Sequence, residues 1–267
     1  MSSTAQHHRL TELPPVNVLP VNSSLRWLRE GWGDVKRVGS ASLIHGVLVV
    51  LLSLAILSLT FLRWELVIIA ASCFLITGPF LATGLYALSR DLENHDKPTL
   101  KHAIHAWRVS STRLYRFGIL LFLICCLWVA VSSALFYLFV DVKIEDPVDF
   151  LRYVFTQHDG LFVMWCILGG MVAATVFGIS VITIPLLVDR DLCMWDAIRV
   201  SVNAVGNNPH TMGWWSLAII VLTGVGFLTF TLGFLVLYPV MGHASWHVYR
   251  DLVDAEGLPK YEGGEEI

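Results

Sequence analysis

Charge is scarce in this chain. Asp, Glu, Lys and Arg make up 15% of its 267 residues, against roughly 25% in soluble domains, and they are missing in blocks. None lies between Arg37 and Arg63, Glu65 and Arg90, Arg116 and Asp141, or Asp159 and Asp189. Each gap exceeds the roughly 20 apolar residues that cross a bilayer as a helix. A fifth gap, Val200 to Tyr249, holds two such helices, with the turn between them expected near Phe230 to Gly233. Cysteine is sparse too. Cys73, Cys125, Cys126, Cys166 and Cys193 include no C-x-x-C pair, which argues against a disulfide framework and for inert buried thiols. The first 23 residues have Pro14, Pro15 and Pro20 but no apolar run, so they lack a signal-peptide core and span one is expected to direct insertion.

What is present is apolar sequence, 55% of the chain. The expected fold is all-α: a polytopic membrane protein with six transmembrane helices, a parallel internal repeat and cytoplasmic amphipathic helices. Residues 1–23 and 253–267 are expected to be flexible tails around an integral domain at 24–252. Of the 18 Lys and Arg, all but Arg63, Lys143 and Arg152 fall on one side of this topology. The positive-inside rule then puts both termini in the cytoplasm. The net charge of −3 belongs to no single surface and gives no ground for a nucleic-acid partner. The expected partners are the lipid bilayer and another membrane protein.

Arg-Asp-Leu occurs three times, at 90–92, 190–192 and 250–252, each just past the cytoplasmic end of an even-numbered span. Pro79 and Pro239 stand eleven residues before the first and third copies, and Pro185 five before the second. An amphipathic helix is expected after the first copy, Thr99 to Arg113 with Thr99 as N-cap, and another after the second, Met194 to Val205. The unit is therefore span, Arg-Asp-Leu, interfacial helix, span, repeated in parallel. The motif residues Arg90, Asp91, Arg190, Asp191, Arg250 and Asp251 suit helix ends at a membrane surface, where a cation meets both the helix dipole and the phosphates. Ser24 to Val38, with Leu25, Leu28, Trp32 and Val35 on its apolar face, is expected either to lie along that surface or to be a solvated lead-in helix docked on the protein. Gly170, Ala174 and Gly178 form a small-residue stripe in span four, suited to helix packing.

Three motifs carry a resemblance: Gly31-Trp32-Gly33-Asp34 before span one, Gly78-Pro79-Phe80 with Ser89-Arg90 at span two, and Tyr238-Pro239 through Gly242-His243-Ala244, Trp246-His247 and Tyr249-Arg250-Asp251-Leu252. Together they resemble an uncharacterised family of bacterial integral membrane proteins, over about residues 25 to 255, some of whose members are labelled cytochrome c oxidase subunits. The resemblance implies an inner-membrane protein with six spans and supplies no activity. A haem-copper catalytic subunit needs about six imidazoles in its spans, and only His45, His243 and His247 lie there. The chain is therefore not expected to be a catalytic oxidase subunit.

An imidazole inside a span is a functional candidate by default. His243 and His247 are one helical turn apart, and with His45 they form a candidate metal set, beside the soft donor Met241. The expectation is nevertheless that they hydrogen-bond between helices, in a non-enzymatic protein of accessory or structural role without a cofactor. A haem- or copper-binding protein is the alternative. A carrier of an uncharged or lipid-like solute is the second, and would require a hydrated pocket between Pro79 and Pro239. His102 and His105 suit a solvated helix face, and Asp189, Asp191 and Asp196 a hydrated loop.

Overall fold

The computed structural model describes residues 12–62, 78–109, 112–140, 144, 147–156 and 160–261. Among the described residues all regular structure is helical, apart from two isolated backbone bridges. In chain order the helices are α1 (Ser23–Val38), α2 (Ser40–Leu62), α3 (Thr83–Glu93), α4 (Leu100–Val109), α5 (Thr112–Phe139), α6 (Pro147–Thr156), α7 (Leu161–Ser180), α8 (Thr183–Asp189), α9 (Met194–Asn207), α10 (Pro209–Leu228) and α11 (Phe234–Leu252).

Among the described residues, four stretches are long and apolar enough to cross a membrane: Ser40–Ser58, Thr112–Phe139, Leu161–Asp189 and Pro209–Leu228. They coincide with the first, third, fourth and fifth expected spans. The first half of the second expected span, with Cys73, lies outside the described residues. The third stretch is interrupted at Val181 and Ile182, because Pro185 lacks the N–H that would bond the Val181 carbonyl. The turn between α10 and α11 occupies residues 229–233. Phe230 and Thr231 are left-handed there, at φ 52° and 67°, and the Thr231 N–H closes the turn on the Gly226 carbonyl at 3.0 Å.

The remaining expected span corresponds to α11, which forms the centre of the molecule and is buried along most of its length. Lipid tails are as apolar as leucine, so helices in a bilayer associate by close packing and polar contacts. Small residues supply the closeness. A Cβ at Gly31 of α1 would stand 2.6 Å from the Val240 carbonyl oxygen. One at Gly46 of α2 would collide with the carbonyl oxygen of Leu235. That carbonyl is the one freed by Pro239, whose ring nitrogen cannot donate to it, so Gly46 lets α2 approach where α11 has lost an internal bond. On α11 itself Gly242 receives Leu85 of α3 in the same way.

α1 is amphipathic and docked on the protein, one of the two placements expected for it. Trp27, Gly31, Asp34 and Val35 are buried, with Trp27 edge-on to Trp215 at 5.7 Å, whereas Leu25 and Trp32 are 70% and 43% exposed. The helix is docked on the protein and leaves an apolar strip uncovered. The segments flanking residues 24–252 are bonded to the bundle: Val16 bridges Val253, the Asn17 N–H reaches the Leu252 carbonyl at 2.9 Å, and the Asn208 side chain clamps the backbone of Asn17 and Leu19.

Candidate functional site

The C-terminal half of α11 brings its polar residues into contact with α1, α2 and α3. His243 has no exposed surface. Its Nε2 is 2.8 Å from Ser42 Oγ of α2 and its Nδ1 is 2.7 Å from Ser89 Oγ of α3. The Ser89 hydroxyl is also 2.8 Å from Asp34 Oδ2 of α1. These contacts fix the direction of the bonds. A carboxylate only accepts, so Ser89 spends its one proton on Asp34 and must accept from His243 Nδ1–H. His243 Nε2 then accepts from the Ser42 hydroxyl. The result is a directed chain, Ser42 to His243 to Ser89 to Asp34, through four helices.

His247 completes it by placing Nε2 2.9 Å from the same Asp34 oxygen. Burial alone would raise the Asp34 pKa. The hydrogen bonds from His247 and Ser89, with the charge of His247, outweigh it and hold the carboxyl below its ordinary value. Sequence reasoning named both histidines of this chain but not Asp34, Ser42 or Ser89 as their partners. The only signal for Asp34 was its place in the Gly31-Trp32-Gly33-Asp34 motif, and Ser42 carries none.

His45 is oriented elsewhere. Its Nδ1 is 2.8 Å from the Ala41 carbonyl, and its Nε2 abuts Gly84 of α3, close enough that any Cβ there would collide with it. The three candidate metal residues thus do not share a common point of contact, and among the described residues no group of three or more His, Cys, Asp or Glu is arranged to hold a metal. Between the two prolines proposed to border a carrier pocket, the Tyr238 hydroxyl donates to the Gly78 carbonyl at 2.6 Å.

Outside this chain the three Arg-Asp-Leu copies meet in a ring. Arg90 of the first donates to the Val188 carbonyl beside the second at 2.8 Å. Asp189, beside the second, accepts from Tyr249 beside the third at 2.7 Å. Arg250 of the third pairs with Glu93 beside the first at 3.1 Å. The motif aspartates turn outward to interfacial helices: Asp91 is 2.7 Å from His102 Nδ1 of α4, and Asp251 accepts from Trp27 and Arg26 of α1 at 2.5 and 2.6 Å. Asp191 instead pairs with the buried Arg113 at the start of α5. Burial raises the Asp91 pKa above its ordinary value despite the bond from His102. His102 is therefore engaged at this surface, and Asp189 is a buried structural acceptor, not part of a hydrated loop.

Residues 66–189 match the model of a family described as "Predicted integral membrane protein (DUF2189)". The match bears out the resemblance to an uncharacterised membrane family, and the chain is an integral membrane protein. The matched stretch includes Pro79 and Ser89-Arg90 and ends before His243. No curated protein and no solved structure matches the chain.

Proposed function

We propose that this protein is a non-enzymatic component of the bacterial inner membrane, with an accessory or structural role beside another membrane complex and no resident cofactor. In this reading it has six spans, the four apolar stretches joined by the second expected span, between Glu65 and Arg90, and by α11, with both termini cytoplasmic. The concentration of Lys and Arg on one side supports that orientation. The parallel repeat then has three units, each made of a span end, an Arg-Asp-Leu copy, an interfacial helix and a further span: α3–α4–α5, α8–α9–α10 and, across the two ends of the chain, α11–α1–α2. The ring of motif contacts and the outward aspartates at Asp91 and Asp251 support the correspondence.

The observation that carries the non-enzymatic reading is the saturation of His243. Both ring nitrogens are taken by serines at a site without exposed surface, so neither is open to a substrate, a metal or a haem. The test is an absorption spectrum with and without dithionite, and copper and iron per chain, on protein gently purified from its own membrane and on the His243→Ala/His247→Ala variant. A blank together with a reproducibly co-purifying membrane complex is expected. Near-stoichiometric haem or copper that disappears in the double variant would overturn the reading in favour of a cofactor protein.

A further inference from the structure

Three helices expose the same kind of side-chain pair in the same register. Arg29 of α1, Lys101 of α4 and Arg199 of α9 are exposed. Three residues beyond each, on the same helix face, stands an exposed apolar side chain: Trp32, Ile104 and Val202, at 43%, 38% and 50%. The register continues past these helices. Two residues after each cation comes a small buried residue, Gly31, Ala103 or Ser201. Further on, residues 41–45, 113–117 and 211–215 repeat one pattern, two buried, two exposed and one buried, at the same distance from the three cations. The last residue of two of these stretches even makes the same contact. His45 stands edge-on to Trp107 of α4 at 5.5 Å, and Trp215 edge-on to Trp27 of α1 at 5.7 Å.

The pairs also share a height in the membrane. α1, α4 and α9 lead directly into α2, α5 and α10, which carry three of the apolar stretches of membrane-crossing length. The entries of those stretches lie at one end of the bundle. Arg113, at the start of α5, donates to the Leu192 carbonyl just before α9, and Thr211, at the start of α10, to the Leu19 carbonyl just before α1, both at 2.7 Å. The exposed pairs are therefore at the level of lipid headgroups, where a basic side chain reaches phosphate while its apolar neighbour enters the acyl boundary. Among the described residues Arg29 and Lys101 form no ion pair. Arg199 has Asp196 at 3.1 Å and still leaves 58% of its side chain exposed. A protein partner docking from one side would engage one of these faces. The leaflet surrounds the bundle and reaches all three, and their uniform positive charge selects the anionic lipids within it.

Resting on the parallel repeat proposed above, and not on the accessory role, we propose that Arg29 with Trp32, Lys101 with Ile104 and Arg199 with Val202 are three equivalent binding sites for anionic phospholipid headgroups, one in each repeat unit.

The test uses the full-length protein in a nonionic detergent, titrated with an equimolar mixture of phosphatidylglycerol and phosphatidylcholine and read by native mass spectrometry. Retention of up to three phosphatidylglycerol molecules per chain, in preference to phosphatidylcholine, is expected. Arg29→Gln, Lys101→Gln and Arg199→Gln each remove one exposed cation and leave the buried face of the helix alone. Each is expected to weaken one binding step about fivefold, the worth of one basic side chain near an anionic surface, and the triple variant to lose the preference. Lys260→Gln, an exposed cation outside these helices, is expected to change nothing. Equal retention of the two lipids, a triple variant that behaves as wild type, or a loss in Lys260→Gln as large as in the single variants would overturn the proposal. A loss confined to one helix would overturn the equivalence, and the repeat with it, without touching the accessory role. Dimers of the chain that dissociate in the triple variant would overturn it in favour of a second copy on these faces.

Discussion

α5 and α11 are both membrane-length helices, and they are built on opposite principles. α5 is apolar all round, with Leu123 58% and Leu127 65% exposed. Its specific contacts gather on one side, where Trp165 of α7 donates to Ser132 at 2.6 Å and stacks near Trp128. α11 carries a proline, a glycine, two histidines and the ion-paired Arg250 and Asp251, and it is the helix that the bundle buries. Hydropathy reads the first as the better membrane helix. The second is polar because the protein, and not lipid, surrounds it. In a bilayer the information that specifies a fold resides in the less apolar helix.

Several measurements would break or sharpen that contrast, all by thermal unfolding in one detergent. The largest effect is expected where α2 touches the carbonyl freed by Pro239. Gly46→Ala should cost about 3 kcal/mol, the upper range for overpacking. Gly170→Ala, on the small-residue stripe of α7 with open space around it, should change nothing or stabilise slightly. Equal losses at the two sites would end the distinction. Next comes Ser89→Ala, which leaves His243 Nδ1 and Asp34 each short of a partner, with an expected loss of about 1–3 kcal/mol.

The pH response follows from Asp34. Its folded pKa lies below the unfolded one, so its stabilisation is present above about pH 3.9 and is lost as pH falls through the folded value. Asp91 has the opposite sign, raised on folding; its contribution is present below about pH 3.9 and fades as pH rises through its folded value. Asp34→Asn should therefore flatten the acid limb of a melting-temperature profile, and a wild-type acid limb in that variant would remove Asp34 from the account. The smallest effect is expected from Arg250→Gln, which opens the partly exposed pair with Glu93 for at most about 1 kcal/mol.

The sequence showed the helices better than their contacts. Charge-free blocks located α2, α5, the α7–α8 pair and α10, and Thr99 is 3.4 Å from the His102 N–H it was expected to cap. Periodicity showed that α1 is amphipathic and left open whether lipid or protein covers it. An apolar stripe does not reveal whether lipid or protein meets it, and the residues that answered were Gly31 and Asp34, neither of them apolar. The partners of His243 were illegible for a related reason. Serines in a span are common, and only the meeting of α2, α3 and α11 makes Ser42 and Ser89 particular.

The polar chain also bears on time. His243 meets Ser42 across 201 residues, His247 meets Asp34 across 213 and Asp251 meets Trp27 across 224. Contacts of such separation form late, because the intervening chain must be placed first. α1 and α2 are therefore synthesised long before α11 reaches them, and until then Asp34 and Ser42 lack the imidazoles they bond in the finished bundle. Each nascent molecule passes through a stage in which its earliest polar groups wait on its latest helix, and that interval is when a chaperone or an insertase would have most to hold.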